Sequence, residues 1–319
     1  MEYILETEKL TKTYGKKTAL NNVSIHVNQG DIYGLVGRNG AGKTTLMKIV
    51  CGLARKSNGG FSIFGRKDTE LGDVAQRRGL LIESPGFFGE YDAETNLKIK
   101  CKLMGINDPE EPKRLVKLIG LEEAGNKKAK HYSLGMKQRL GIGIALAGNP
   151  DLVVLDEPIN GLDPQGIMEI RDMICKLNKE NGTTFLISSH ILDELSKIAT
   201  KYGIINNGSL VEESPAEELR NKCESRIELM TDNASRAIGV LERIGFSQFK
   251  VLEDGKINIY EQFDRTGDIT LAMAAEGVTT LEIVRKLETV ENYYLRLVGK
   301  DSESYDKDTK DRPFPVVQK

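Results

Sequence analysis

The feature that most constrains this chain is a glycine-rich turn between an apolar strand-like run and a helix-like run. In the segment GLVGRNGAGKTTLMKI, the spacing G-x-x-x-x-G-K-T extends from Gly37 to Thr44. Gly37, Gly40 and Gly42 allow backbone amides to turn inward around phosphate oxygens. We therefore predict a phosphate-binding loop, in which Lys43 reaches the β- and γ-phosphates of a nucleotide and the Thr44 hydroxyl ligates Mg²⁺.

A second chemical signal is a pair of acids at the end of an apolar run, in the segment LVVLDEP. Neighbouring side chains of a strand point to opposite sides, so Asp156 and Glu157 can have different roles. We predict that Asp156 holds Mg²⁺ through water and that Glu157 polarises the attacking water as a general base. The alternative is a solvated acidic strand end.

Two isolated rings each have a functional and a structural interpretation. Tyr14, in KTYGKK, can stack on a base or pack at an edge. His190 ends the apolar run TTFLISSH, and the carboxyl end of a buried strand is where α/β sheets place ligand groups. We predict that His190 donates to a γ-phosphate, whereas the alternative is a structural histidine.

The order of strand-like and helix-like runs predicts an α/β fold. Apolar strands beside helical stretches indicate βα units and a parallel sheet covered on both faces. Residues 93–148 carry apolar side chains at helical spacing, which predicts an inserted helical segment. We predict a core domain over residues 1–218, then a small α+β domain over 219–300 with the ferredoxin-like order β-α-β-β-α-β, and a flexible tail over 301–319.

Composition argues against several classes of protein. The chain of 319 residues has 45 basic and 47 acidic side chains, so the simplest case for nucleic-acid binding is absent. The four cysteines are widely separated and form no CxxC-type metal pair. The start of the chain lacks the pattern of a signal peptide, and no run is long enough for a membrane span. We expect a cytoplasmic protein whose membrane role comes through a partner.

The motifs together resemble those of the ATP-binding cassette (ABC) ATPases. The phosphate loop, YSLGMKQR, LVVLDEP, NGLDP and SSH occur in the family's order between about residues 4 and 215. The resemblance implies a P-loop NTPase fold with a mixed or parallel sheet core, ATP and Mg²⁺ as ligands, and Asn39 and Thr45 among the ATP contacts. It gives adenine stacking, general-base and γ-phosphate-sensing roles to Tyr14, Glu157 and His190.

The resemblance also implies that each active centre is shared between two chains. In the family, two cassettes pair head to tail as a homodimer or heterodimer. Ser133, the Gly135 amide and the following helix start would then cap the γ-phosphate held by the other copy. A helix start with free N–H groups is an anion site, and nothing in its own sequence neighbourhood supplies the anion. Asp163, in NGLDP, would cross the same interface.

Two positions depart from the usual family pattern and point to a subgroup of the family. The family's LSGGQ appears as YSLGM at residues 132–136, and Glu83 stands where the family usually has glutamine. A carboxylate can ligate Mg²⁺, but it brings negative charge close to the phosphates. The alternative is a tolerated near-isostere. The chain resembles the bacitracin-resistance and lantibiotic-immunity exporter ATPases in three features: Glu83, the YSLGM signature and the appended C-terminal domain.

This narrower resemblance implies an ATPase subunit that powers export of an antimicrobial peptide or similar amphiphile. It would act at the cytoplasmic face of the membrane through a separate integral permease. Glu83, Pro85, Phe87 and Phe88 are candidates for coupling to that permease, although aromatics in such a loop can equally pack locally. The alternatives are a soluble ABC ATPase that regulates translation or another non-transport process, and a C-terminal module that senses a small molecule.

Overall fold

The computed structural model divides the chain into two compact units, Met1–Ala216 and Glu217–Lys319. The predicted tail over residues 301–319 lies outside the described part of the chain. The structure describes residues 3–190, 192–222, 225–252, 254–286 and 290–299.

The first unit contains two sheets. Its strands are β1 (Leu5–Tyr14), β2 (Lys17–Val23), β3 (His26–Val27), β4 (Ile32–Val36), β5 (Asn58–Ile63), β6 (Arg66–Lys67), β7 (Arg78–Leu81), β8 (Leu152–Asp156), β9 (Thr184–Ser189), β10 (Lys201–Asn206) and β11 (Ser209–Pro215). One sheet has the order β11-β10-β4-β9-β8-β7 and is parallel except for β11. The other has the order β2-β1-β5-β6 with β3 beside β1, and it is antiparallel.

The helices of this unit cover the parallel sheet or form a separate segment. They are α1 (Lys43–Val50), α2 (Ala93–Leu103), α3 (Glu111–Leu118), α4 (Leu134–Leu146), α5 (Pro164–Asn181) and α6 (Leu192–Ser196). A further helix, α7 (Ala216–Lys222), begins at the last residue of this unit and otherwise belongs to the second unit. α2, α3 and α4 pack on one another, and a side chain at Gly143 of α4 would meet Leu97 and Ile119.

The core explains where the phosphate loop lies. Every residue of β4, β8 and β9 is buried, as expected for central parallel strands covered on both faces. One apolar cluster joins Leu5 and Leu20 of the antiparallel sheet, Leu46 and Met47 of α1, and Val154 of the parallel sheet. α1 is therefore fixed against both sheets, with its first turn at the carboxyl ends of the parallel strands, where α/β folds bind ligands.

The second unit has the element order β-α-β-β-α-β, followed by a helix. Its sheet has the order β13-β14-β12-β15 and is antiparallel, and residues from its strands and from two helices form one apolar cluster. No helix in the described residues is long and apolar enough to cross a membrane. The elements are β12 (Arg226–Thr231), α8 (Ala234–Arg243), β13 (Phe249–Val251), β14 (Ile257–Ile259), α9 (Thr266–Ala275), β15 (Thr280–Lys286) and α10 (Val290–Gly299).

Candidate nucleotide-binding and hydrolysis site

The glycine-rich turn lies between β4 and α1, and its glycines are required by conformation and by packing. Gly40 and Gly42 have φ values of 84° and 114°, which are strained for any residue with a side chain. A Cβ atom on Gly42 would lie 2.7 Å from the Ala19 carbonyl oxygen, and one on Gly37 would lie 2.4 Å from the Ile205 carbonyl oxygen. The loop therefore presents backbone rather than side chains to a ligand.

Lys43 is the buried cation of this loop, with 5% of its surface exposed. Its Nζ donates to the Gly37 carbonyl at 2.6 Å and lies 3.2 Å from Glu157 Oε1. A buried ammonium group needs compensating acceptors, and the oxygens of a polyphosphate are stronger acceptors than a neutral carbonyl. The arrangement suits binding of β- and γ-phosphates.

Asp156 and Thr44 meet at the mouth of the loop. Thr44 Oγ1 donates to Asp156 Oδ2 at 2.9 Å, and Ser188 Oγ donates to Asp156 Oδ1 at 2.6 Å. This pair of hard oxygen donors fits Mg²⁺. Within the described residues there is no cluster of three His, Cys, Asp or Glu side chains suited to a metal.

Glu157 lies between Lys43 and His190. Its backbone has a φ of 49°, an unusual conformation for a non-glycine residue, and its N–H donates to Ser188 Oγ at 2.9 Å. Oε2 is 2.7 Å from His190 Nδ1. The buried Oε1 makes no hydrogen bond of proper geometry with any described residue, despite its proximity to Lys43. One carboxylate oxygen thus faces His190, and the other lies buried beside Lys43.

A cavity of about 530 Å³ brings most of the predicted ATP contacts together, with Tyr14 half exposed at its edge. Lys12 Nζ lies 4.6 Å from the centroid of the Tyr14 ring. The lining contains the predicted residues Tyr14, Asn39, Gly40, Gly42, Lys43, Thr44, Thr45 and Glu157. It also contains five residues that the motifs did not indicate, Lys17, Thr18, Ala19, Asn207 and Gly208.

Two of these five additional lining residues belong to the turn between β10 and β11. Asn207 and Gly208 both have positive φ, 47° and 80°, as in a tight hairpin turn. The Gly208 N–H donates to the Ala41 carbonyl at 2.9 Å, and the Gly208 carbonyl accepts from the Asn21 N–H at 2.7 Å. The turn therefore fixes the phosphate loop from the side. In the sequence, the Asn-Gly dipeptide predicts this turn, but it does not predict that the turn lies against the phosphate loop.

A second concave surface, which we call the signature surface, brings Ser133, Gly135 and Asp163 together. Ser133 caps α4 by accepting from the Met136 N–H at 3.3 Å, and Asp163 caps α5 by accepting from the Gly166 N–H at 3.0 Å. The volume of this concavity is about 560 Å³. Among the described residues, the signature surface and the cavity beside Lys43 share no lining residue.

The loop after β7 carries the predicted coupling residues. Phe88 is exposed and meets the exposed Tyr91 edge to face, at 6.2 Å between ring centroids, whereas Phe87 is partly buried. Pro85 packs against α4, because a Cβ atom on Gly141 would lie 2.5 Å from the Pro85 Cβ. The Glu83 carboxylate pairs with Lys48 of α1, and its predicted contact with Mg²⁺ remains a prediction.

This loop is hydrogen-bonded to the segment that precedes Ser133. The N–H groups of Ala129 and Lys130 donate to the carbonyls of Tyr91 and Gly89, at 2.8 Å and 2.9 Å. A displacement of the loop would therefore act on the segment that leads into α4 and the signature surface.

Side chains reinforce the same connection. Glu90 pairs with Lys130 and Lys128, and hydrogen bonds from these lysines lower the pKa of its carboxyl group. The Tyr132 hydroxyl accepts from the Ala93 N–H at 3.1 Å. Burial raises the pKa of the Tyr132 hydroxyl.

Comparison with known proteins decides the family. The model of a family described as ABC transporter matches residues 20–160. An uncharacterized ABC transporter ATP-binding protein of Bacillus subtilis (strain 168), YcbN, is 41% identical over 304 residues, which cover 95% of this chain and 99% of that protein. The chain belongs to the ABC transporter ATP-binding proteins. The resemblance seen in the motifs is confirmed, and with it the ability of this ABC ATPase to bind and hydrolyse ATP.

Two further comparisons address the exporter type and the fold. The bacitracin transport ATP-binding protein BcrA of Enterococcus faecalis is 41% identical over 300 residues, 94% of this chain and 97% of BcrA. The ATP-binding cassette MJ0796, solved as a dimer in a post-hydrolysis state with ADP and Pi, is 25% identical with a TM-score of 0.61. That match covers 66% of this chain and 98% of MJ0796. The predicted fold class is confirmed, whereas the soluble alternative gains no support.

Proposed function

We propose that this ABC ATPase powers export of an antimicrobial peptide or similar amphiphile through a separate integral membrane permease. The chain would lie at the cytoplasmic face of the membrane and work as a homodimer or heterodimer of cassettes. The similarity to a bacitracin transport protein over nearly the full length of both chains supports the substrate class. The dimeric cassette among the structural neighbours supports pairing.

The observation that carries this proposal is the separation of the two halves of the active centre. Lys43 and Glu157 line one cavity, whereas Ser133, Gly135 and Asp163 line another. A head-to-tail pair would place the signature surface of one chain over the phosphates held by its partner. Each nucleotide would then make charge-assisted contacts with both chains only when they meet, which gives ATP a reason to drive closure.

Within each composite centre, the residues have distinct roles. Thr44 and Asp156 would hold Mg²⁺, which when bound neutralises developing charge on the phosphates. Lys43 binds the β- and γ-phosphates. Glu157, oriented by His190, polarises the attacking water, and after hydrolysis the lost γ-phosphate contact allows the pair to open.

Coupling to the permease is assigned to the loop that displays Phe88 and Tyr91. Both aromatic side chains are about half exposed, with 55% and 48% of their surfaces accessible, so they can pack on another protein. The same loop is bonded to the segment before Ser133. Closure at the signature surface and movement of the permease would thereby be linked mechanically.

Affinity purification of the tagged chain from its native membrane tests the proposal. We expect an integral protein with several membrane spans to accompany the wild-type chain, and much less of it to accompany the variant with Phe88→Ala and Tyr91→Ala. Leu103→Ala, which removes an exposed apolar side chain from α2, is the matched control. Recovery with ribosomes and without an integral protein would contradict the proposed function.

A further inference from the structure

Glu83 has a cationic partner in the helix that follows the phosphate loop. Lys48 Nζ lies 2.5 Å from Glu83 Oε1. Lys48 belongs to α1 and follows Thr44 by four residues, so the two side chains lie on the same face of the helix, one turn apart. The ion pair therefore joins the helix that carries a predicted Mg²⁺ ligand to the loop that follows β7.

The backbone at Glu83 directs the side chain towards this pairing. Glu83 has a φ of 64°, and the Ser84 N–H donates to the Ile82 carbonyl at 2.9 Å. A hydrogen bond from residue i+2 to residue i around a positive φ defines a tight γ-turn, which is rare and strained for a residue with a side chain. From this turn the Glu83 carboxylate meets Lys48 of α1.

The exposure of this ion pair argues against a role in folding stability. The Lys48 and Glu83 side chains are 30% and 62% exposed, and ion pairs this accessible contribute little to folding stability. Their electrostatic effect on a nearby ligand is different. An uncompensated carboxylate near a triphosphate opposes binding, and a lysine in direct contact cancels most of that charge.

We propose that Lys48 is the positioning residue that orients and neutralises Glu83, and that this ion pair allows a carboxylate to occupy the place where ABC ATPases usually carry an amide. The inference rests on the prediction, made from the sequence, that Glu83 lies close to the nucleotide phosphates, and on the proposed function of this ATP site. The inference adds Lys48, which lies outside the G-x-x-x-x-G-K-T motif, to the residues that affect the ATP site. It predicts an effect on the nucleotide affinity of the isolated chain.

A double-mutant cycle tests this inference without a membrane partner. ATP and ADP are titrated by calorimetry, with and without Mg²⁺, into the full chain and its Lys48→Met, Glu83→Gln and doubly substituted forms. We expect Lys48→Met to weaken ATP binding about three- to ten-fold, and ADP binding less, because ATP carries more charge. In the Glu83→Gln background, Lys48→Met should have no further effect.

Two controls separate positioning from folding. Lys48→Arg, which keeps the positive charge, should retain wild-type affinity, and Lys117→Met should be neutral because it removes an exposed charge from α3. The Tm of every variant should match the wild type. Equal loss of affinity in the Glu83→Gln background, or unchanged affinity in Lys48→Met, would overturn the inference and leave the ATP site intact. Failure of the wild-type chain to bind ATP would overturn the proposed function as well.

Discussion

Glu157 is held in position by three neighbours that come from two parts of the chain, the end of β9 and the start of α1. Ser188 accepts a hydrogen bond from its N–H, His190 contacts one carboxylate oxygen, and Lys43 lies near the other. The positive φ at Glu157 turns the side chain out of the strand direction and into this arrangement. At the residue scale, the geometry supports a general base whose position is fixed before the water molecule arrives.

The substitution Glu157→Gln tests this role. It keeps the size of the side chain but removes the negative charge, so ATP turnover should fall by about 10²- to 10⁴-fold while ATP binding persists. Phosphate release and nucleotide titration measure the two effects separately. Glu180→Gln, at an exposed position near the end of α5, is the matched control and should behave as wild type. Rapid turnover by Glu157→Gln would show that a different group polarises the water.

The motifs predicted the residues to which we assign the chemistry, but not the contacts that hold those residues in place. Lys43, Thr44 and Glu157 are recognisable because their spacing is local. Ser188 contacts both acids because the sheet register pairs it with Asp156, and Gly208 reaches the phosphate loop across a hairpin. Such contacts depend on tertiary packing, so the sequence near each motif carries no sign of them.

Among the structural elements, α2 has a specific connection to the loop that precedes it. The buried Asn96 accepts from the Phe88 N–H at 2.7 Å and donates to the carbonyls of Phe88, Tyr91 and Asp92. One side chain therefore satisfies several backbone groups of an irregular segment, as buried polar groups require. The loop that exposes Phe88 and Tyr91 is built on the first turn of α2.

Replacement of Asn96 by alanine should release this loop. The lost hydrogen bonds leave backbone groups without their partner, which should lower the stability of the segment by about 1–3 kcal/mol. Hydrogen exchange followed by mass spectrometry should show faster exchange in peptides over residues 86–92. Asn107→Ala, at an exposed position after α2, serves as the control. Exchange as slow as in the control would mean that other contacts hold the loop.

The sequence predicted elements better than the connections between them. The central strands were evident because β4, β8 and β9 are apolar runs, and the helical segment was evident from its spacing. The bonds between residues 88–92 and 128–132 join two irregular segments through backbone atoms. Backbone pairing of that kind leaves no side-chain pattern, and it emerges only from the folded structure.

For the molecule as a whole, the decisive property is that one chain carries two separate concave surfaces, which the proposed function assigns to one reaction. The phosphate loop and Glu157 line the cavity beside Lys43, and the start of α4 lines the signature surface. When two copies pair head to tail, the phosphate-loop cavity of each chain meets the signature surface of the other, so the pair contains two complete centres. The proposed motor therefore depends on an active centre that a single chain does not complete.

Mixing two inactive variants tests this claim most directly. Lys43→Ala damages the phosphate loop and Ser133→Arg blocks the signature surface, so each variant alone should lack ATPase activity. A mixed pair contains one undamaged centre, formed by the intact loop of one variant and the intact signature of the other. With random pairing, the mixture should recover about a quarter of the wild-type rate. A mixture that stays inactive, or a Ser133→Arg chain that hydrolyses ATP at the wild-type rate, would contradict the shared active centre.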